Sequence, residues 1–407
     1  MRRTATACAA AVMITVAACA SNTTDAVGSL ADPLPSAAPS ITADTLQMRG
    51  QIVEQSEAAF DDPDRLIGQA RRAVYRSVSG LDGTVREVSG AFFVPAGPPP
   101  AGGWPVISIG HGTTGIGTDC GPSQDRDLLG FRSMVDSYLR EGYAVAMTDY
   151  EGLGHAGSHP YLEPRTAGFN IIDAVRALRN LFPDVSTYWA GLGNSQGGQA
   201  VWAANELAGQ YATGLNLVGS VALSPAANVT PIADLGRDGE LSSEQRDLLP
   251  LIAEGVARYD PRLVEDGVAP RLTAEQETQA FSCAADADGR RDELVPLSSI
   301  RLDDERTVAV FRTALRRIAL PQQPLAAPML VVNGLDDRTI PADWVRAAVG
   351  QACGLGDHVE HVEVTGAGHG DLGAQAYDIA SQWLHDRFAG SPAPSNCGDA
   401  ARVVPVG

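Results

Sequence analysis

From Arg72 onward the chain alternates short apolar runs with stretches of helical periodicity, and this alternation restricts the fold more than any other feature. Strands separated by helices pair in parallel, and a parallel sheet must be covered by helices on both faces. Strands are expected at 73–78, 85–94, 106–109, 143–148, 187–192, 217–223, 329–332 and 358–364, about eight in all. Between them, Phe169, Ile172, Val175 and Leu178 recur at helical spacing within 166–181, and 196–209 and 341–353 read the same way. No internal repeat is visible, which argues against a solenoid or propeller.

The alternation fails once, between the strand ending at Leu223 and the one beginning at Met329. Ser242-x-x-Gln245 and Thr273-x-x-Gln276 look like capping boxes there, and Leu248, Ile252 and Val256 form an i, i+4 stripe. Pro321, Pro324 and Pro328 close the region off. The expected organisation is a core built from 46–224 and 325–407, with 225–324 inserted as a helical cap or lid.

The strongest chemical signal is Gly193-Asn194-Ser195-Gln196-Gly197-Gly198, set between the apolar Tyr188-Trp189-Ala190 and the helix-like Ala200-Val201-Trp202-Ala203-Ala204. A serine on a sharp strand-to-helix turn needs glycine two residues to either side so that strand and helix can approach, and this is the nucleophile elbow of the α/β-hydrolase fold. A serine hydroxyl is a weak nucleophile alone, so the reading requires a histidine base and an acid that sets its tautomer. The fold orders these as serine, acid, histidine. His369, in Gly366-Ala367-Gly368-His369-Gly370-Asp371, follows the last expected strand and precedes a helix-like stretch, unlike His111, His155, His159, His358, His361 and His385. The acid is expected at Asp337, in Asn333-Gly334-Leu335-Asp336-Asp337-Arg338-Thr339-Ile340-Pro341, with Asp336 the alternative. Two oxyanion donors are expected: the backbone N–H of Gln196, and Thr113 in the loop Gly110-His111-Gly112-Thr113-Thr114-Gly115. His111 is expected to anchor that loop by hydrogen bonding.

Composition removes several rival classes. No lysine occurs, which eliminates Schiff-base chemistry, Ser-Lys dyads and the lysine-bearing phosphate loop. A formal charge of −19 argues against a nucleic-acid partner. His155-x-x-x-His159 lies in a glycine-rich loop, and His358-x-x-His361 on what reads as an exposed strand, so neither pair is expected to hold a metal, and no cofactor is expected.

The N-terminus reads as an export signal over residues 1–18, a charged start followed by a short apolar run. Val16-Ala17-Ala18-Cys19 resembles a bacterial lipobox, in which Cys19 would be lipidated and attach the protein to the outer face of the membrane; the alternative is cleavage at an ordinary Ala-x-Ala-like site, which would leave the protein extracellular. A flexible tether is expected over 19–45. Four cysteines remain in the exported part: Cys120, Cys283, Cys353 and Cys397. An even number in an oxidising compartment suggests two disulfides, and sequence alone does not choose among the three connectivities. The favoured pairing is Cys120–Cys283 with Cys353–Cys397, the latter pinning the tail Ser391-Pro392-Ala393-Pro394 to the domain.

Taken together, His111-Gly112-Thr113-Thr114-Gly115 with Asp119-Cys120-Gly121-Pro122-Ser123, Asp149-Tyr150-Glu151-Gly152-Leu153-Gly154 with His159-Pro160-Tyr161-Leu162, and the serine turn resemble the secretory lipases of the α/β-hydrolase superfamily, over roughly residues 80–388. The resemblance implies hydrolysis of lipid-like carboxylic esters, a helical cap over the site, no cofactor, and a disulfide from the oxyanion-side loop to the cap that matches Cys120–Cys283. Fungal members carry a glycine after the serine and an acidic residue in the oxyanion loop. This chain has Gln196 and the His111–Thr114 segment at those positions, which leaves acyl-chain length open. Two rivals survive: an acyltransferase working through the same acyl-serine, and a surface lipoprotein that uses the fold only for binding.

Overall fold

The computed structural model describes residues 39–58, 60, 62–283 and 294–406. Ten strands are formed: β1 (Ile52–Glu57), β2 (Ile67–Val78), β3 (Val85–Pro95), β4 (Trp104–Gly110), β5 (Ala144–Thr148), β6 (Val185–Asn194), β7 (Asn216–Leu223), β8 (Met329–Gly334), β9 (Val359–Thr365) and β10 (Arg402–Pro405). They make one sheet in the order β1-β2-β3-β5-β4-β6-β7-β8-β9-β10. From β5 to β10 every neighbouring pair is parallel, and β1, β2 and β3 add an antiparallel edge.

The period of two along each strand divides the apolar side chains between the faces. Phe92, Val106 and Ala146 pack with Ile171, Val175, Val201 and Trp202 from helices Pro164–Leu181 and Gln196–Tyr211. Phe93, Ile107, Val145 and Met147 pack with Val135, Leu139, Ala380 and Trp383 from helices Arg132–Arg140 and Gly373–Phe388. The result is an α/β-hydrolase fold, a mostly parallel sheet flanked by helices.

Two strands depart from the expected eight. Most of β1 is exposed, so it carries no apolar alternation to betray it. β10 lies in the polar tail and pairs in parallel with β9. The expectation that His361 lies on an exposed strand is also overturned: His361 is 4% exposed, covered in part by the tail, where Asn396 Oδ1 accepts its backbone N–H at 2.8 Å. Residues 43–45, expected within the tether, instead belong to a helix: Thr42 caps Ala43–Met48, and Ile41 and Leu46 pack on the core. Residues 1–38, and with them the expected export signal and Cys19, lie outside the described residues.

Between β7 and β8 the described residues form helices and no strand: Ile232–Asp238, Ser243–Ala257, Arg262–Glu265, Ala274–Phe281 and Glu305–Ile318, with a short 3-10 turn at Leu297–Ser299. Both capping boxes form, at Ser242/Gln245 and Thr273/Gln276. Disulfides join Cys120 to Cys283 and Cys353 to Cys397.

Candidate active site

Because β4, β6, β8 and β9 run in parallel, their carboxyl ends share one edge of the sheet, the edge at which open α/β sheets bind ligands. The loops leaving that edge carry Thr113, Ser195, Asp337 and His369. Ser195 sits at φ 56°, ψ −114°, a conformation that costs a non-glycine residue about 1–3 kcal/mol and persists only where its surroundings enforce it. Its N–H donates to the Leu223 carbonyl at 2.9 Å, and its carbonyl accepts from Ala226 N–H at 3.1 Å. The flanking glycines are required by contact. A Cβ on Gly193 would collide with the Gly197 carbonyl, and one on Gly197 with the carbonyl of Gly110.

The structure brings Ser195, His369 and Asp337 into one hydrogen-bonded line. His369 Nδ1 lies 2.7 Å from Asp337 Oδ2, and its Nε2 lies 2.8 Å from Ser195 Oγ. An ionised carboxylate can only accept, so Nδ1 carries the proton and Nε2 offers its lone pair to the serine hydroxyl. Asp337 Oδ1 accepts the backbone N–H groups of Thr339 and Ile340, each at 2.8 Å, which prevents the carboxylate from rotating away. The Asp337 side chain is fully buried, whereas Asp336 is exposed.

Ser195 and His369 open onto a cleft of about 1350 Å³. Gly112 and Thr113 line it beside them, and Phe131, Met134, Tyr138, Leu192 and Leu248 supply apolar walls. Leu248, Glu244 and Asp247 come from the helical region between β7 and β8. Gln196 is buried, and its side chain meets His159 rather than the cleft: the Nε2 atoms of the two residues are 2.9 Å apart. Thr113 Oγ1 lies 2.7 Å from the Tyr161 hydroxyl. His111 is buried, and its Nδ1 lies 2.6 Å from the Gly112 carbonyl. Burial pushes its pKa down to about 4, which suits a neutral loop anchor.

His159 and Tyr161 are the residues that spacing alone misses as part of this site. Neither lies on a periodic element; the family resemblance marks their segment, and the tertiary contacts with Gln196 and Thr113 show where it reaches. The histidines weighed as metal ligands have protein partners. His155 meets Glu87 at 3.3 Å, His361 meets Asn333 Oδ1 at 2.7 Å, and His358 meets the Ala393 carbonyl at 2.7 Å. Among the described residues, Asp119, Cys120 and Cys283 cluster closely enough to hold an ion, but the two sulfurs are joined in a disulfide.

Comparisons with known proteins agree with this geometry at the level of family and fold. The family model described as secretory lipase matches residues 132–396. A stretch of 280 residues, 64% of this chain, is 29% identical to a Mycobacterium tuberculosis protein named "Probable inactive lipase", and the match spans 58% of that protein's length. Candida antarctica lipase A in its closed state superposes with a TM-score of 0.67 at 17% identity, over 91% of this chain and 90% of that one. The rice cell wall degrading esterase LipA from Xanthomonas oryzae gives 0.64 at 18% identity, over 83% and 99%. The two structural likenesses are likenesses of fold.

Proposed function

The chain belongs to the secretory lipase family, and from that premise we propose that it is an exported serine ester hydrolase acting on lipid-like carboxylic esters through an acyl-Ser195 intermediate. The observation that carries the reading is the 2.8 Å approach of His369 Nε2 to Ser195 Oγ on a strained, glycine-flanked turn. His369 takes the hydroxyl proton as Oγ attacks the ester carbonyl, and Asp337 stabilises the imidazolium that forms. The backbone N–H of Gln196 and a donor from Thr113 meet the negative charge that develops on the carbonyl oxygen. The imidazolium then protonates the departing alcohol, leaving the acyl group on Ser195. Water, deprotonated by His369, attacks the acyl-enzyme, and the same steps in reverse release the acid and restore the hydroxyl.

The apolar walls at Phe131, Met134, Tyr138 and Leu192 suit an acyl chain. The helical region 225–324 acts as the lid, contributing Leu248 to the cleft and tethered at Cys283 to the oxyanion-side loop at Cys120. Disulfides and family membership point to export, and lipidated Cys19 would anchor the protein. Among the described residues, no helix is long and apolar enough to cross a membrane.

Hydrolysis of p-nitrophenyl esters of increasing acyl length, with Ser195→Ala as control, tests the proposal. Turnover that persists in the variant refutes it. A second reading, a non-catalytic member of the family, is favoured by the name of the Mycobacterium tuberculosis relative. Failure of a fluorophosphonate to label Ser195 in folded protein would support that reading.

A further inference from the structure

His159 and Tyr161 are each 2% exposed, and the proline between them fixes the backbone of the turn they share. Tyr161 N–H donates to the His159 carbonyl at 3.0 Å, and Glu163 N–H to the Pro160 carbonyl at 2.9 Å. The two side chains leave this turn toward different elements, one meeting the residue after the nucleophile and the other meeting the loop after β4.

The hydrogen bonds decide how His159 is used. Its Nδ1 faces the Glu151 carbonyl at 2.8 Å, and a carbonyl only accepts, so Nδ1 carries the proton. Burial keeps the ring neutral, with its pKa pushed down to about 3, which leaves Nε2 as an acceptor. Gln196 must therefore present its NH₂ to His159. Its Oε1 is buried without a hydrogen-bond partner, so this one bond orients the carboxamide. On the other side, Tyr161 is clamped by the lid region. A Cβ on Gly255 would press into the Tyr161 side chain, and the Tyr259 hydroxyl donates to the Tyr161 carbonyl at 3.2 Å. From that fixed position the Tyr161 hydroxyl reaches Thr113 Oγ1.

We infer that the segment His159-Pro160-Tyr161 positions both sides of the oxyanion hole, His159 through the Gln196 carboxamide and Tyr161 through the Thr113 hydroxyl. The inference rests on the assignment of Gln196 and Thr113 as oxyanion donors. His159 and Tyr161 are positioning residues: they hold the donors' backbone in place without touching the substrate. The contact between Tyr161 and Gly255 also ties one donor loop to the lid.

The test compares the full-length protein with His159→Leu, His159→Gln and Tyr161→Phe, measuring kcat, KM and the pH profile of kcat/KM on a p-nitrophenyl ester per fluorophosphonate-titrated serine, with Ser195→Ala, compared per mole of protein, as control. His159→Leu should lower kcat about 10-fold and Tyr161→Phe about 3-fold, with KM within about 2-fold and the pH midpoint unmoved, because charge stabilisation is lost while the His369–Ser195 pair is intact. His159→Gln should recover most of the loss, since its carboxamide oxygen can accept the Gln196 N–H. Wild-type kcat in folded His159→Leu and Tyr161→Phe overturns the inference, as does a His159→Gln no better than the leucine variant. If His159→Leu does not fold, Tyr161→Phe and His159→Gln carry the decision. Activity surviving in Ser195→Ala, or a wild-type protein that neither turns over nor labels, overturns the underlying hydrolase reading instead.

Discussion

The turn that carries Ser195 and the helical region between β7 and β8 face the same cleft, but different forces hold them. The turn is fixed by backbone. Glycine contacts at Gly110, Gly193 and Gly197, and hydrogen bonds to Leu223 and Ala226, leave Ser195 nowhere else to go. The helical region has a buried apolar side at Ile252, Val256, Phe281 and Phe311, and its outer side carries partly or wholly exposed arginine–carboxylate pairs: Arg312 with Asp234, Arg301 with Asp304, and Arg306 with Asp266. Exposed pairs of this kind contribute little and are screened by salt. On the proposed reading of this region as a lid, it would open at a lower cost than unfolding the sheet, and Ser195, held by backbone, would stay in place when it does.

The contrast can be broken most severely at the turn. Replacing Gly197 by Ala drives a methyl group into the Gly110 carbonyl, so the variant should either fail to fold or fold with Ser195 displaced. A turnover loss of at least about 10³-fold is expected on a short p-nitrophenyl ester, approaching that of Ser195→Ala. Near-normal turnover would show that the turn tolerates movement.

The tail offers a control remote from the cleft. Cys397→Ser frees the chain that supplies β10 and should cost about 3–4 kcal/mol in the chain-entropy model, read as a shift in the denaturant midpoint, with kcat/KM unchanged. The partner thiol, Cys353, should be blocked in that experiment.

Protonation sharpens the comparison from inside the site. His159 is held neutral in the folded protein, with a pKa of about 3, against an ordinary histidine value near 6.5 in the unfolded chain. Below pH 6.5 the unfolded state binds a proton that the folded state refuses, so stability from this group is present above 6.5 and declines as pH falls toward 3. The stability difference between wild type and His159→Gln should therefore move against wild type by about 1.4 kcal/mol per pH unit between 6 and 4, measured by denaturant unfolding. A difference independent of pH would mean that His159 is protonated in the fold.

The smallest effect belongs to the outer side of the helical region between β7 and β8. Arg312→Met removes a two-pronged pair with Asp234, in which Arg312 Nε donates to Oδ2 at 3.0 Å, and should cost under about 1 kcal/mol. Limited proteolysis between residues 225 and 324 should quicken modestly, and raised salt should quicken wild type more than the variant. A loss of several kcal/mol would make the two regions more alike than proposed.

Much of the architecture is readable from local pattern. Parallel strands such as β5 and β8 are buried on both faces and appear as unbroken apolar runs, while β1, exposed along most of its length, leaves no such trace. The capping boxes at Ser242 and Thr273 are visible for the same reason, since a cap is a contact between residues three apart. The sequence pattern reads His361 as exposed because the chain that covers it arrives from the tail, 35 residues later at Asn396.

By itself the sequence determined the glycine-flanked turn at Ser195, the order of Ser195, Asp337 and His369 along the chain, and the helical interruption, because each rests on covalent neighbours and their steric limits. The sequence favoured Asp337 over Asp336 and one pairing of the four cysteines, but only the tertiary structure shows Asp337 turned inward to His369, the two disulfides closed, and His159 and Tyr161 in contact with Gln196 and Thr113. Those are questions of which distant groups come within about 3 Å in a low-dielectric interior, and no periodicity in one dimension encodes that meeting.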